Sequence, residues 1–216
     1  MNPISSYDEL LLHIKKSKNK KDIFIPIILI KPVKIEMLNK NNQIDYIFDY
    51  FDYRAGEDVQ FFMPGYLHCF CEKLKPYISD QEPFSYKATA INISRLGNIY
   101  FNNKDFIDFI HEIEKQTRKF IYFGATELLL LKIVYASDNK FSHIDYSKIY
   151  RYSLSSVFKG NNSIGEDEIT KMSRVEYFLE MVIRVLKEAK NEETAINSID
   201  LYYTKSISNE MGDFNV

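Results

Sequence analysis

The residue types best suited to chemistry gather in one acidic segment, residues 45–58. Its charged members are Asp45, Asp49, Asp52, Arg54, Glu57 and Asp58. Carboxylates at the end of a sheet can bind Mg²⁺ for phosphoryl or phosphodiester chemistry. On a strand, however, Asp45 and Asp49 would stand roughly 13 Å apart on one face, and Asp52 would point to the opposite face from Asp49. Only the members from Asp52 onwards are expected to cluster, around a hairpin loop.

This loop has two interpretations. We favour a solvated hairpin in which Arg54 pairs with the neighbouring acids, because loop charges are usually solvated. The loop nevertheless carries both signs of charge and is followed by the aromatic and apolar segment 61–66. If the loop is instead a recognition surface, we expect it to use Tyr53, Arg54 and Tyr66.

An enzyme built on this chain would need acid–base groups. The candidates are Asp52, Glu57, Asp58, His111 and Glu127. Glu127 opens the apolar run that continues to residue 134, and functional sites often lie where a buried element begins, although charged residues also end elements for solubility. His111 lies three residues before Glu114 on a predicted helix, so the two side chains are expected to be neighbours.

Cys69 and Cys71 do not predict a metal site. Zinc usually takes four ligands as two spaced pairs, and the sequence has no second Cys pair. On a helix the two thiols would point about 200° apart. A nucleophilic Cys69 would need a base, and the adjacent His68 faces elsewhere. We therefore expect two reduced, buried thiols, no bound metal and no cofactor.

Basic residues concentrate in residues 15–21, which hold five lysines. This segment could contact a phosphate backbone or an acidic partner. It lacks Arg and interleaved aromatics, which favours a solvated helix end. The formal charge of 28 − 30 = −2 gives no global attraction to nucleic acid. Nucleic-acid binding is therefore disfavoured.

Several familiar catalytic motifs are broken or missing. Residues 160–165 have the frame of a phosphate loop, but Glu166 and Asp167 replace its Lys and Ser/Thr. His111-Glu112 begins a zinc-protease helix, but Lys115 stands where the second His is required. Neither the nucleophile elbow of hydrolases nor the dinucleotide-binding glycine pattern occurs.

Composition places the chain among ordinary globular proteins. Its 216 residues are 45% hydrophobic and 27% charged, which suits one large domain. We expect a mixed domain over residues 1–160 and a helical region over 161–216 that packs on the same core and ends in a frayed tail. No apolar run reaches the roughly 18–20 residues of a membrane span, and the acidic start does not resemble a signal peptide. Cytoplasmic location is the expectation, and abundant Ile, Lys and Asn suggest a bacterial or phage origin.

Hydrophobic patterns and capping signals predict the elements that must position these residues. The predicted helices cover residues 6–17, 66–75, 104–116, 166–189 and 193–204. The predicted strands cover residues 22–31, 44–53, 58–63, 84–93, 99–101 and 119–123. Residues 127–135 fit either a long strand or a buried helix, because an apolar run does not distinguish the two.

The expected fold is α+β, with α/β as the alternative, built on a mixed sheet of about five to six strands with amphipathic helices against it. Two functional hypotheses are compatible with the sequence. The first is a cytosolic bacterial or phage protein-interaction module, such as an immunity, defence-system or regulatory subunit, with another protein as its partner. The second is an enzyme of unfamiliar type that acts on a nucleotide or nucleic acid through the acidic residues near the 52–58 loop. Neither hypothesis involves a membrane.

Overall fold

The computed structural model describes residues 2–16, 22–30, 59–68, 93–96, 99–138, 140–161 and 168–208. The strands are β1 (Asn2–Ile4), β2 (Phe24–Leu29), β3 (Phe62–Pro64), β4 (Tyr66–His68), β5 (Ile93–Leu96), β6 (Ile99–Asn102), β7 (Glu127–Tyr135) and β8 (Phe141–Ser153). The helices are α1 (Tyr7–Lys16), α2 (Asn103–Gln116), α3 (Leu154–Lys159), α4 (Glu168–Glu188) and α5 (Glu192–Ser208).

A mixed five-stranded sheet forms the centre of the fold, with the order β1-β3-β2-β7-β8. The first three strands pair in parallel, and β7 runs antiparallel to both β2 and β8. Every residue of β2 is buried. This explains its continuous apolar sequence, since a strand covered on both faces does not alternate. The α+β expectation is confirmed.

A smaller sheet has the order β4-β6-β5. The turn at Gly65, where φ is +78°, connects β3 of the large sheet directly to β4 of the small one. The Gly65 amide donates to the Ile4 carbonyl, and its own carbonyl accepts from the Asn102 amide. This residue therefore links β1 and β6 at the junction of the two sheets, in a conformation that favours glycine.

The two faces of the β7–β8 pair meet different parts of the chain. Directly paired residues of antiparallel strands lie on the same face, so Tyr152 shares a face with Leu128, and Arg151 shares the other with Leu129. Tyr152 contacts Phe178 of α4 and Tyr203 of α5. The Arg151 guanidinium lies over the Phe120 ring on the opposite side. Helices α4 and α5 thus cover one face only.

Local signals position the helices as expected. Ser6 precedes α1 and its hydroxyl accepts from the Glu9 amide at 3.2 Å, while the Glu9 carboxylate accepts from Ser5. This is a capping box in which the return bond, from the Glu9 side chain, goes to Ser5 and not to Ser6. Asn102 caps α2 through its side-chain oxygen, which accepts from the amides of Lys104 and Asp105. The predicted helices 6–17, 104–116 and 166–189 are confirmed as α1, α2 and α4, and 193–204 as the longer α5.

Some predicted elements are wrong. Residues 66–68 form β4 instead of the start of a helix, because they pair with β6. Residues 119–123 are not a strand. Strand β8 and helix α3 were not predicted. The uncertain run 127–135 is a strand, held between β2 and β8. The predicted strands 22–31 and 99–101 are confirmed.

Other expectations fall largely or wholly outside the described residues. These are strand 44–53, nearly all of strand 84–93, the thiols Cys69 and Cys71, the lysines after Lys16 and the chain end after residue 208. Of strand 58–63, Phe62 and Met63 belong to β3. The division at residue 160 stays a prediction, although α4 and α5 contribute buried residues to the same hydrophobic core as β2 and β7.

Candidate interaction surface

Five of the eight predicted site residues lie outside the described part of the chain. They are Asp52, Tyr53, Arg54, Glu57 and Asp58. Whether they converge therefore stays a prediction. The remaining three are Tyr66, His111 and Glu127, and the structure places them in three different surroundings.

Tyr66 lies in the core. Its side chain is fully buried, and its hydroxyl donates to the Ile30 carbonyl at 3.1 Å. Burial raises the pKa of this hydroxyl well above its usual range. A residue placed in this way supports the junction between β3 and β4, and a surface contact through Tyr66 would require the fold to open.

His111 is exposed on α2, and the carboxylate of its neighbour Glu114 has a structural partner. Glu114 accepts a hydrogen bond from the Tyr122 amide at 3.2 Å. Glu114 therefore fixes the backbone of the segment after α2.

Glu127 forms a forked ion pair with Arg151. Its side chain is 9% exposed, its Oε1 lies 2.7 Å from Nη2 of Arg151, and its Oε2 lies 3.2 Å from Nε. The guanidinium also lies 5.0 Å from the centre of the Phe120 ring. Two parallel hydrogen bonds and an aromatic face satisfy much of the bonding capacity of both ions. This geometry fastens β7 to β8 and orients Phe120.

A second polar cluster joins the sheet to the start of α5. We call Lys132, Lys148, Tyr150 and Glu192 the Glu192 cluster. The Glu192 carboxylate lies 2.6 Å from Nζ of Lys132 and 2.9 Å from Nζ of Lys148. It also accepts from the Tyr150 hydroxyl at 2.7 Å. The hydrogen bond from Lys132, with a smaller contribution from Lys148, lowers the pKa of Glu192 to about 2.

Sequence reasoning missed the Glu192 cluster for a topological reason. Lys132 and Glu192 are sixty residues apart, and two of the four members belong to the unpredicted strand β8. Each charge has an opposite partner, and the hydroxyl of Tyr150 is held in a hydrogen bond to Glu192. Burial raises the pKa of Tyr150 to about 12, and the hydrogen bond to the anionic Glu192 adds to the shift. The arrangement locks α5 against the sheet.

The segment between α2 and β7 presents apolar side chains to solvent. Residues 118–123 are called the 118–123 loop below. Phe120 is buried, Ile121 is 54% exposed, Tyr122 is half-buried and Phe123 is 78% exposed. Burial therefore alternates along the loop, and the inward residues fix the direction of the outward ones. The sequence suggested a strand here because all four residues have high β propensity.

Several contacts hold this loop in place. The Tyr122 ring packs edge-to-face on Phe106 at a centroid distance of 5.4 Å, and its amide is bound to Glu114. At the start of the loop, Nζ of Lys119 donates to the Ser147 carbonyl of β8 at 3.2 Å. At its end, Gly124 has φ = +85° and turns the chain towards β7. The exposed side chains thus extend from an anchored backbone.

Positive charge begins the loop. Arg118 and Lys119 are both exposed. Within the described part of the chain, neither makes an ion pair with a carboxylate. On α2, Glu112 is paired with Lys115, whereas Glu114 accepts from the Tyr122 amide and keeps its negative charge beside the loop. The surface formed by the loop is therefore apolar at one end and basic at the other.

Comparison with known proteins gives no relative: no family model, curated protein or solved structure matches the chain significantly. Among the residues that the structure describes, no group of three or more His, Cys, Asp and Glu could hold a metal ion. None of the described helices is both long and apolar enough to cross a bilayer.

Proposed function

We propose that the chain is a protein-interaction module and that the 118–123 loop lies at the centre of its contact surface. The exposure of Phe123, with Ile121 beside it, is the observation that carries this proposal. Aromatic residues are enriched at protein interfaces, and the few residues that dominate binding energy are commonly large and rigid. An exposed Phe supplies such a contact when a partner covers it.

The anchoring of the loop supports the same function. Binding is weakened when a flexible segment must become ordered. Here Tyr122 and Lys119 are already fixed by Glu114, Phe106 and Ser147. The outward side chains are consequently presented in a defined direction before a partner arrives. A stable interface of about 1,600 Å² in total needs more surface than two side chains, so neighbouring residues of α2 and β8 would form its rim.

The finer proposal is a role as an immunity, defence-system or regulatory subunit in a bacterial or phage context. Composition supports that origin: Ile, Lys and Asn are abundant, as in AT-rich coding sequences. Such subunits act by binding to another protein and covering part of its surface. A preformed apolar loop is suited to that role. The cytoplasm is the proposed location, since both cysteines are expected to be reduced.

A variant-dependent capture tests the proposed function. The affinity-tagged chain is expressed in its source cells beside Ile121→Ser/Phe123→Ser and beside Leu201→Ser. Leu201 lies on α5 and is 53% exposed, so it matches Ile121 in exposure but lies outside the loop. We expect at least one protein that the unaltered chain and Leu201→Ser retain and that the double variant retains about tenfold less or not at all.

The captured protein is then purified and titrated into the three chains by calorimetry. Saturable binding that is weakened only by the loop substitutions supports the proposal. If every captured protein binds the double variant as well as the unaltered chain, the loop is not the contact surface and the proposal fails.

A further inference from the structure

We infer that the 118–123 loop recognises a polypeptide in which carboxylate groups lie beside apolar side chains. This inference rests on the proposed function and adds the chemistry of the partner. The combination of Ile121 and Phe123 with the exposed cations Arg118 and Lys119 carries it. The apolar residues supply contact area. The two cations favour a partner that carries negative charge beside its own apolar residues.

The local charge is only partly offset within the described part of the chain: Glu114 keeps one negative charge beside the loop, against the two positive charges of Arg118 and Lys119. One turn before the loop, Lys115 is paired with Glu112. Arg118 and Lys119 come three and four residues after Lys115, and neither has a carboxylate partner among the described residues. The Lys119 ammonium donates to the Ser147 carbonyl, which satisfies one donor but leaves its charge uncompensated. An arriving carboxylate would find two positive charges and open hydrogen-bond donors.

A second copy of the chain fits this surface poorly. In a twofold dimer whose axis passes through the basic end of this loop, Arg118 and Lys119 of both copies would meet. Like charges placed together at an interface oppose binding. The surface is therefore complementary to an acidic partner and not to itself.

A lipid surface is also disfavoured. Two apolar side chains give a small insertion, and the chain as a whole carries a formal charge of −2. Two basic residues are also fewer than the roughly four to eight that cluster where a chain binds anionic lipid. A polypeptide can instead place carboxylates beside Arg118 and Lys119 and apolar side chains beside Phe123, which is why we assign the surface to a protein partner.

Selection from a random peptide library tests the inference without a known partner. The full chain is immobilised, a phage-displayed library of 16-residue linear and disulfide-closed peptides is applied, and binders that also bind Ile121→Ser/Phe123→Ser are removed. We expect the remaining sequences to combine Asp or Glu with Leu, Ile, Phe or Trp. A synthetic peptide of the consensus, labelled with a fluorophore, then serves as the probe for anisotropy.

Charge variants give the decisive comparison. We expect Arg118→Glu to weaken binding of the consensus peptide about three- to tenfold at low salt, and the difference to shrink as salt screens the pair. Lys190→Glu is the matched control, because Lys190 is exposed in the turn between α4 and α5 and is expected to leave binding unchanged.

The alternative outcomes separate this inference from the proposed function. Loop-dependent peptides without acidic residues would overturn the acidic partner and leave the interaction module standing. If no peptide depends on Phe123, both fail. Two further results would also overturn the inference. One is flotation with phosphatidylserine vesicles that is lost in Phe123→Ser, and the other is a concentration-dependent dimer that the same substitution dissociates.

Discussion

Arg151 holds the buried carboxylate of Glu127 with two nitrogen atoms at once. Nη2 lies 2.7 Å from Oε1, and Nε lies 3.2 Å from Oε2. Glu127 begins β7, while Arg151 lies near the end of β8, directly opposite Leu129. The pair therefore crosses the two strands diagonally, and it places the guanidinium over Phe120 at the start of the exposed loop. The Glu127–Arg151 ion pair therefore lies next to the 118–123 loop.

Removing one member of this pair should be costly. Arg151→Met leaves the Glu127 carboxylate buried without its cation, so we expect a loss of about 2–4 kcal/mol in the free energy of unfolding. Glu127→Leu/Arg151→Met removes both charges and should lie within about 1 kcal/mol of the unaltered chain. Urea unfolding of the three proteins checks this. If the single variant is no less stable than the double variant, the pair does not protect a buried charge.

The helices and the buried strand were predictable because their signals are local. A capping serine and an apolar stripe define α1, and a continuous apolar run defines β2. Strand β8 was missed because many of its side chains are partly exposed, and irregularities in its pairing with β7 interrupt the alternation of period two. Residues 119–123 have the composition of a strand, yet β pairing requires a neighbouring strand, which composition does not supply.

The polar contacts were less predictable than the elements. Glu127 was selected because functional sites often lie where a buried element begins, but its partner lies on the unpredicted β8. Glu192 meets Lys132 only because α5 covers one face of the sheet. Tyr66 followed an aromatic segment and was expected at the surface, but pairing with β6 places it in the core. Each of these positions depends on which strands and helices are neighbours in the fold. The spacing of residues along the chain does not give that information.

The two tyrosines Tyr122 and Tyr152 should respond differently to loss of their hydroxyls. Among the described residues, the buried hydroxyl of Tyr122 has no hydrogen-bond partner. Burial raises its pKa, and Glu127 adds to the shift. Removing an unsatisfied polar group is nearly neutral or stabilising, so Tyr122→Phe should change stability by less than about 0.5 kcal/mol or increase it.

Tyr152→Phe is the matched control. The hydroxyl of Tyr152 donates to the Asp200 carboxylate at 2.8 Å, and its loss should cost about 1 kcal/mol. Thermal unfolding of both variants measures the difference. Equal destabilisation by the two substitutions would mean that the Tyr122 hydroxyl has a partner in solution.

Arg174 joins α4 to the end of α3. Its side chain is buried, Nε donates to the Val157 carbonyl at 3.1 Å, and Nη2 donates to the Phe158 carbonyl at 2.8 Å. Carbonyls in the last turn of a helix lack intrahelical partners. Arg174→Met should therefore destabilise the fold by about 2–3 kcal/mol, measured by urea unfolding. Arg174→Lys should recover only part of this, because an ammonium lacks the planar fork; full recovery would contradict the geometry.

The proposed surface also predicts a stability difference between Phe120 and Phe123. Phe120 is buried beneath the Arg151 guanidinium, so Phe120→Ala should cost about 3–4 kcal/mol. Phe123 projects into solvent, and Phe123→Ser should change the free energy of unfolding by less than about 0.5 kcal/mol. Denaturant titration checks both. A large loss of stability for Phe123→Ser would show that the residue packs within the fold. Weaker binding by that variant would then reflect a damaged fold and not a lost contact.

The Glu192 cluster should make stability depend on pH in the acidic range. The ordinary pKa of 4.5 falls to about 2 in the folded chain, so the unfolded state binds the proton more readily. The stabilisation is fully present above pH 4.5 and is lost as the pH falls through about 2. Because Lys148 is half exposed and solvent screens the pair, Glu192→Gln should cost about 1 kcal/mol at pH 7 and progressively less towards pH 2. Glu193→Gln, at the next and exposed position, is the control. Urea unfolding between pH 2 and 7 measures the difference, and a constant gap between Glu192→Gln and the unaltered chain would contradict the lowered pKa.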